Sequence, residues 1–274
     1  RGERSMESFA MGDRNIPWWA VLASILAAEI SAATFLGAPG EGYAMRNFTY
    51  AQLALGTILA RVIIAGVFIK PFYDFRVISI YQYLALRFGT RTRDAASALF
   101  LITRALASGT RLYVAAIVLV MAYERWSGTA LEPLQQVGVY CVSLVFLTGT
   151  TALYTAVGGI KAVVWTDLIQ ASLMFGSLGF ACWTLLGQIP GGWDGFLSLL
   201  NGPKDFQIFD SGITPGQGFW ANVRSILESE YTIWAALIGS TFTTMATHGT
   251  DQDMVQRMLT ARDHKRSRLS LIVS

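Results

Sequence analysis

Three stretches of this chain contain no Asp, Glu, Lys or Arg: residues 133–160, 168–193 and 231–250. Each is near or above the roughly 20 residues that cross a bilayer as a helix. A soluble domain carries roughly a quarter charged residues; the 274 residues here include only 14%, at a mean hydropathy of +0.44. That balance excludes a soluble enzyme and a disordered chain. An outer-membrane barrel would alternate polar and apolar residues instead of running them together. The expected class is an all-α polytopic membrane protein.

Six spans are expected, at about 15–37, 49–70, 95–123, 133–157, 160–188 and 232–256, with another starting near 269. Pro17-Trp18-Trp19 suits a helix start with aromatic residues at the interface. Gly37-Ala38-Pro39-Gly40-Glu41-Gly42 is expected to end the first helix. Tyr154 to Gly159 reads as a tight turn between the fourth and fifth spans. The long connection 189–231, rich in Gly, Pro and Trp, is expected to be extracellular and to hold a short surface helix. Outside the spans, Lys and Arg divide fourteen against four between alternate loops, which places the N-terminal and C-terminal segments in the cytoplasm of a plasma (inner) membrane protein. The basic residues are too scattered for a nucleic-acid face. Cys141 and Cys182 lie in apolar spans, so neither a disulfide framework nor a zinc site is expected. Arg1 is no initiator, and a new apolar stretch begins at Leu269, so the chain reads as part of a longer protein.

Three arginines, Arg61, Arg104 and Arg111, lie well within spans, and two acids, Glu29 and Asp167, share that depth. Each costs at least ~2.5–3.5 kcal/mol there unless it faces a cavity or a partner. One arrangement is a structural ion pair, such as Glu29 with Arg61; the other is a polar pathway. Arg104 and Arg111 are seven residues apart on one helix face, where bidentate donors could hold an anionic solute. Ala27 to Gly37 crowds small and polar residues into the first span. Such a segment either packs closely against a neighbour or breaks, freeing carbonyls for a cation. The sixth span repeats the theme from Gly239 to Thr250, with five threonines and His248; a lone histidine there reads first as a hydrogen-bonded packing residue. No nucleophile elbow, metal cluster or phosphate loop appears, so an enzyme is not expected.

Tyr154-Thr155-Ala156-Val157-Gly158-Gly159-Ile160-Lys161-Ala162-Val163-Val164-Trp165-Thr166-Asp167-Leu168-Ile169-Gln170 resembles the signature of the sodium/solute symporter family. Gly249-Thr250-Asp251-Gln252-Asp253-Met254-Val255-Gln256-Arg257 is similar to the motif at the inner end of that family's sixth core helix. Ser31 to Gly37 resembles its first core helix, and Ile80 to Gly89 the loop before its third. The resemblance covers nearly the whole chain. It implies a leucine-transporter-like fold of five-plus-five inverted repeats, of which the first repeat and the first helix of the second are present.

The resemblance also implies roles. The carbonyls of Ala27 and Ile30 fall where the family binds sodium, a hard cation that prefers oxygen, and hydroxyls from an eighth core helix complete the site. Asp167 matches a family acid on the ion's route inward. Ser31, Thr34 and Gln52 fall where sialic acid symporters of the family hold substrate. Either Arg104 or Arg111 matches a carboxylate-binding arginine, and Thr244 a polar contact of the sugar symporters. Glu29 replaces the amide of those sugar symporters. The implied function is secondary active transport, coupling inward sodium movement to uptake of a small polar organic solute, possibly a carboxylate or acidic sugar. Partners would be sodium, the solute and the bilayer, with no other cofactor. The alternatives are a proton-coupled porter, with Glu29 as carrier, and a symporter-like sensor module of a signalling protein.

Overall fold

The computed structural model of the chain describes residues 6–200 and 202–274. Arg1 and Arg4, two of the basic residues used to orient the N-terminus, lie outside the described residues. Described residues form helices almost throughout. Short α1 (Met6–Met11) leads through a 3-10 turn into α2 (Trp18–Glu29), which bends by 60° into α3 (Ala32–Met45). The second span is α4 (Leu53–Val67) with its continuation α5 (Ile69–Asp74), and α6 (Ile80–Phe88) lies before the long α7 (Thr90–Ser127). Then come α8 (Pro133–Gln188) and, in the connection, α9 (Gly192–Ser198) and α10 (Phe219–Glu228). A π-helical segment Ala235–Ser240 runs into α11 (Thr241–Gly249), followed by α12 (Gln252–Leu259) and α13 (His264–Val273).

The 56 residues of α8 contain one non-helical residue, Gly159 (φ 62°, ψ −159°). Contacts on either side show that the chain reverses there. Before it, Leu119 and Tyr123 of α7 share a cleft with Gln135 and Gly138, and Tyr113 stacks on Tyr140 at 5.4 Å, so the two segments run antiparallel. After it, Lys161 pairs with Asp13, Trp165 meets Trp19 at 5.8 Å and Asp167 meets Ser24, in the same rising order as α2. The expected turn over 154–159 has shrunk to a single glycine. A Cβ at that position would stand 2.7 Å from the Phe9 carbonyl oxygen, in a backbone region that L side chains avoid. At 1.5 Å per residue, each half of α8 is long enough to cross ~30 Å of hydrocarbon.

Span six runs antiparallel to α2, since Glu29 faces His248 and Ser24 faces Arg257. It runs parallel to α4, where Gly56 lies against Ala236, Thr57 beside Thr244 and Ile64 beside Gly249. α2 and the second half of α8 therefore run one way, and α4 and span six the other. The buried core gathers at the end that carries most of the loop arginines and lysines: Met11, Ile16, Val21, Ile25, Ile64, Phe72, Val77, Ile160, Val164, Val255, Met258 and Leu271.

Two breaks differ from expectation. The first span does not end at the Gly37–Gly42 segment: α3 runs through Pro39, and the break lies earlier, at Ile30 (ψ 107°) and Ser31 (ψ 166°). Ser31 caps the new helix by accepting the Thr34 amide at 3.3 Å. The Ser31 cap satisfies an amide that the start of the new helix would leave unpaired. The sixth span breaks at Thr250–Asp251, where Asp251 accepts the Asp253 amide at 2.9 Å and starts α12.

Candidate functional site

Where α2 stops, the Ser31 amide that a continuous helix would aim at the Ala27 carbonyl sits in extended backbone. The Thr34 amide that would serve Ile30 goes instead to the Ser31 side chain. The break thereby releases the carbonyls of the two residues that sequence resemblance placed at sodium. Ala27, Ile30 and Ser31 line a cleft of about 440 Å³ with Phe35, Gln170, Met174 and Ser177. An oxygen-rich helix break is chemically suited to a hard monovalent cation, so the residues present fit the ion.

Below that cleft Asp167 is buried. Ser24 Oγ donates to its Oδ2 at 2.5 Å, and Arg257 Nε donates to the same oxygen at 3.3 Å and to Ser24 Oγ at 3.0 Å. Arg257 Nη1 also donates to the Asp253 carbonyl at 3.0 Å. The lone acid of the fifth span is thus the centre of a triad joining α2, α8 and α12. Arg257, which the sequence places among the loop cations, is the charge that balances it. Ser24 carried no signal beyond its lying one turn before Ala27.

A second charged cluster stands at the break itself. Glu29, the last residue of α2, forms an ion pair with Arg61 of α4, and its other oxygen lies 3.8 Å from His248 Nε2. The ion pair foreseen as one alternative is formed. His248 is buried, with its Nδ1 3.0 Å from Thr247 Oγ1. The Arg61 Nε and His248 Nε2 atoms are buried with no hydrogen-bond partner.

The third cluster involves Arg104, which forms ion pairs with Asp253 and, at 3.5 Å, with Asp251. These two acids follow the sixth-span break and were not counted against the intramembrane arginines in the sequence. Arg111, one face along from Arg104, has no hydrogen bond or ion pair among the described residues. Both arginines line a cavity of about 260 Å³ with Phe100, Thr103, Thr247 and Asp251.

Other expected contacts are placed differently. Gln52 is fully buried: its Nε2 donates to the Tyr231 carbonyl at 2.7 Å, and its Oε1 accepts from the Asp210 amide at 3.3 Å. Its amide ties the connection 189–231 to the start of α4. Thr244 packs against Thr57, their hydroxyls 3.4 Å apart. Thr241 and Thr244 of span six serve α4, as does Ser240: Ser240 Oγ donates to the Leu53 carbonyl at 2.8 Å and Thr241 Oγ1 to the Gly56 carbonyl at 3.2 Å, while Thr247 and Thr250 bond to carbonyls of their own helix. Ser31 and Thr34, by contrast, stand at the accessible side of the break.

The sequence matches the sodium:solute symporter family over residues 9–274. It is 30% identical over 278 residues to the sodium/iodide cotransporter of Homo sapiens, covering 100% of this chain and 38% of that protein. It is also 30% identical over 275 residues to the Homo sapiens sodium-coupled monocarboxylate transporter 1, covering 100% and 40%. Among solved structures, the substrate-bound outward-open state of a Na+-coupled sialic acid symporter matches with a TM-score of 0.72 at 22% identity, covering 98% of this chain and 51% of that one. That likeness shows the fold, which is leucine-transporter-like. The chain spans about two fifths of the length of the curated relatives it matches.

Proposed function

This chain belongs to the sodium:solute symporter family, and from that premise we propose that it forms the ion-binding half of a secondary active transporter rather than an enzyme. The transporter couples inward sodium movement to uptake of a small anionic solute. The observation that carries the reading is the break at Ile30–Ser31, which releases the Ala27 and Ile30 carbonyls into a cleft above the Asp167 triad. Sodium sits on those carbonyls, and further oxygens come from outside residues 1–274. Asp167 lies on the ion's way inward, held by Ser24 and Arg257 until the inner end opens.

An anionic solute is supported by charge. Arg61 is matched by Glu29, Arg104 by Asp251 and Asp253, and Arg257 by Asp167. Arg111 is left as the cation for a solute carboxylate or halide, with Ser31 and Thr34 as polar contacts. Arg104 holds the sixth-span break, and Gln52 and Thr244 act through packing. Iodide, monocarboxylates and sialic acid, the solutes in the relatives' names, all carry or are anions. The charge alternation between loops supports a plasma-membrane location with the N-terminal segment in the cytoplasm. Exposed apolar side chains such as Leu106, Val145, Phe180 and Trp183 are surfaces for lipid or for the rest of the protein. The test is uptake of an acid against its neutral amide into proteoliposomes containing the full-length protein, under inward sodium and inward potassium gradients. Sodium-specific uptake of the acid supports the reading. Equal uptake with potassium sinks the coupling.

A further inference from the structure

A carboxylate at Glu29 creates an electrostatic problem. It is the residue immediately before Ile30 and two after Ala27, and its side chain is 29% exposed, turned toward Arg61 and His248. An unmatched negative charge there would hold any cation tightly and repel an anionic solute bound at Ser31. The family's sugar carriers avoid the problem with a neutral amide. Here the answer comes from a different helix: Arg61 of α4 is 93% buried and spends its charge on Glu29. No other acid contacts Arg61 among the described residues.

We propose that Arg61 is a specificity-determining residue: by cancelling Glu29, it sets the electrostatic potential at the first-span break to suit a sodium ion and an anion side by side. The surroundings support this assignment. His248 closes the remaining side of the carboxylate at 3.8 Å. Of the other arginines, Arg104 is paired with Asp251 and Asp253 and Arg257 with Asp167, while Arg111 is the cation proposed above for the solute. The Glu29–Arg61 pair is therefore the nearest control on charge at the break. Arg61 touches neither the proposed ion ligands nor Ser31 and acts only through Glu29. Its significance for coupling rests on the sodium reading above; its effect on local potential does not.

The charge of the pair can be stepped. Wild type and the Glu29→Gln/Arg61→Gln double variant are neutral, Arg61→Gln is one unit negative, and Glu29→Gln one unit positive. Ser31→Cys is introduced into these four backgrounds of the full-length protein, with Cys141→Ser and Cys182→Ser. Its reaction rates are measured with a cationic trimethylammonium-ethyl and an anionic sulfonatoethyl methanethiosulfonate. The expected ratio of cationic to anionic rate is highest in Arg61→Gln, lowest in Glu29→Gln, and intermediate and similar in the two neutral proteins. Each step is about tenfold, as one charge produces at several ångströms in a partly hydrated site. A purely structural pair would change both rates together and leave the ratio fixed, and that result would overturn the proposal. Should one single variant fail to assemble, the other against the double variant still differs by one charge.

Binding of radioactive sodium to the same proteins is expected in matching order, tightest in Arg61→Gln. If the thiol ratios follow charge but no protein binds sodium, the sodium reading falls and the charge assignment stands. If the ratios are equal, the charge assignment falls whatever sodium does.

Discussion

At the scale of the residue, what matters is which partner each intramembrane charge has. The sequence shows Glu29, Arg61, Arg104, Arg111 and Asp167 as anomalies, because an ionisable side chain in an apolar run is visible by itself. Their partners are not visible. Arg257 reads as a loop charge, and Asp251 and Asp253 lie at the inner end of the expected sixth span with no sign of a partner, until the break at Thr250 sets them beside Asp167 and Arg104. Sequence spacing carries no information on that return. Removing one partner of a buried pair costs about 3–5 kcal/mol, because the other is left uncompensated. Arg257→Gln is therefore expected to lower the thermal midpoint of the solubilised protein by several degrees, as followed by intrinsic tryptophan fluorescence. Asp167→Asn keeps the shape and a hydrogen-bond acceptor for Ser24, so it should fold. Its expected effect is a sodium concentration for half-maximal uptake raised about tenfold, equal to the loss of ~1.4 kcal/mol from one nearby charge. Unchanged sodium activation would remove Asp167 from the ion's path.

Among the elements, helix positions were legible and helix interruptions only partly so. The charge-free runs 133–160 and 168–193 fall within α8, on either side of the non-helical Gly159, and 231–250 takes in the π-helical segment and α11, since length and hydrophobicity make such runs helical in lipid. The first span was expected to end at Pro39 and its glycines, with a break inside Ala27 to Gly37 as one of two readings; α3 runs through Pro39, and the break occurs at Ser31, where a side-chain cap makes a new start. Caps are local and common, so this one was hidden among other small residues. Glycines mark the closest approaches. A Cβ on Gly56 would lie 1.9 Å from the Ala236 carbonyl oxygen, within the π-helical segment of span six. Gly56→Ala is expected to destabilise by about 1–3 kcal/mol through forced separation of α4 from span six, read as a lowered unfolding temperature. Gly159→Ala should act similarly through its positive φ and the Phe9 carbonyl. A midpoint unchanged in both would mean that neither contact limits stability. At the break, cysteines replacing Ser31 and Thr34 should react with small polar thiol reagents and be protected by solute. Inert thiols in both positions would make the segment a packing surface.

For the molecule as a whole, the contacts set α4 and span six antiparallel to α2, and the two halves of α8 antiparallel to each other. What the sequence left open was the sharing of labour between the two ends. The basic end is closed by the apolar core around Phe72, Val164 and Met258, and by the Asp167 and Arg104 clusters. Arg111→Gln is expected to reduce uptake of an acid at least tenfold while leaving that of its neutral amide unchanged, by loss of a charge-assisted contact. A parallel fall in both would make Arg111 structural. The central claim is that sodium binds at the broken first span and moves with the conformational change. It is tested most directly, and without knowledge of the solute, by a sodium concentration jump on full-length protein in proteoliposomes adsorbed to a sensor membrane. A transient current specific to sodium, saturable, and shifted to higher sodium in Asp167→Asn is the predicted result. No sodium-specific current, with a comparable current evoked by a pH jump alone, would contradict it.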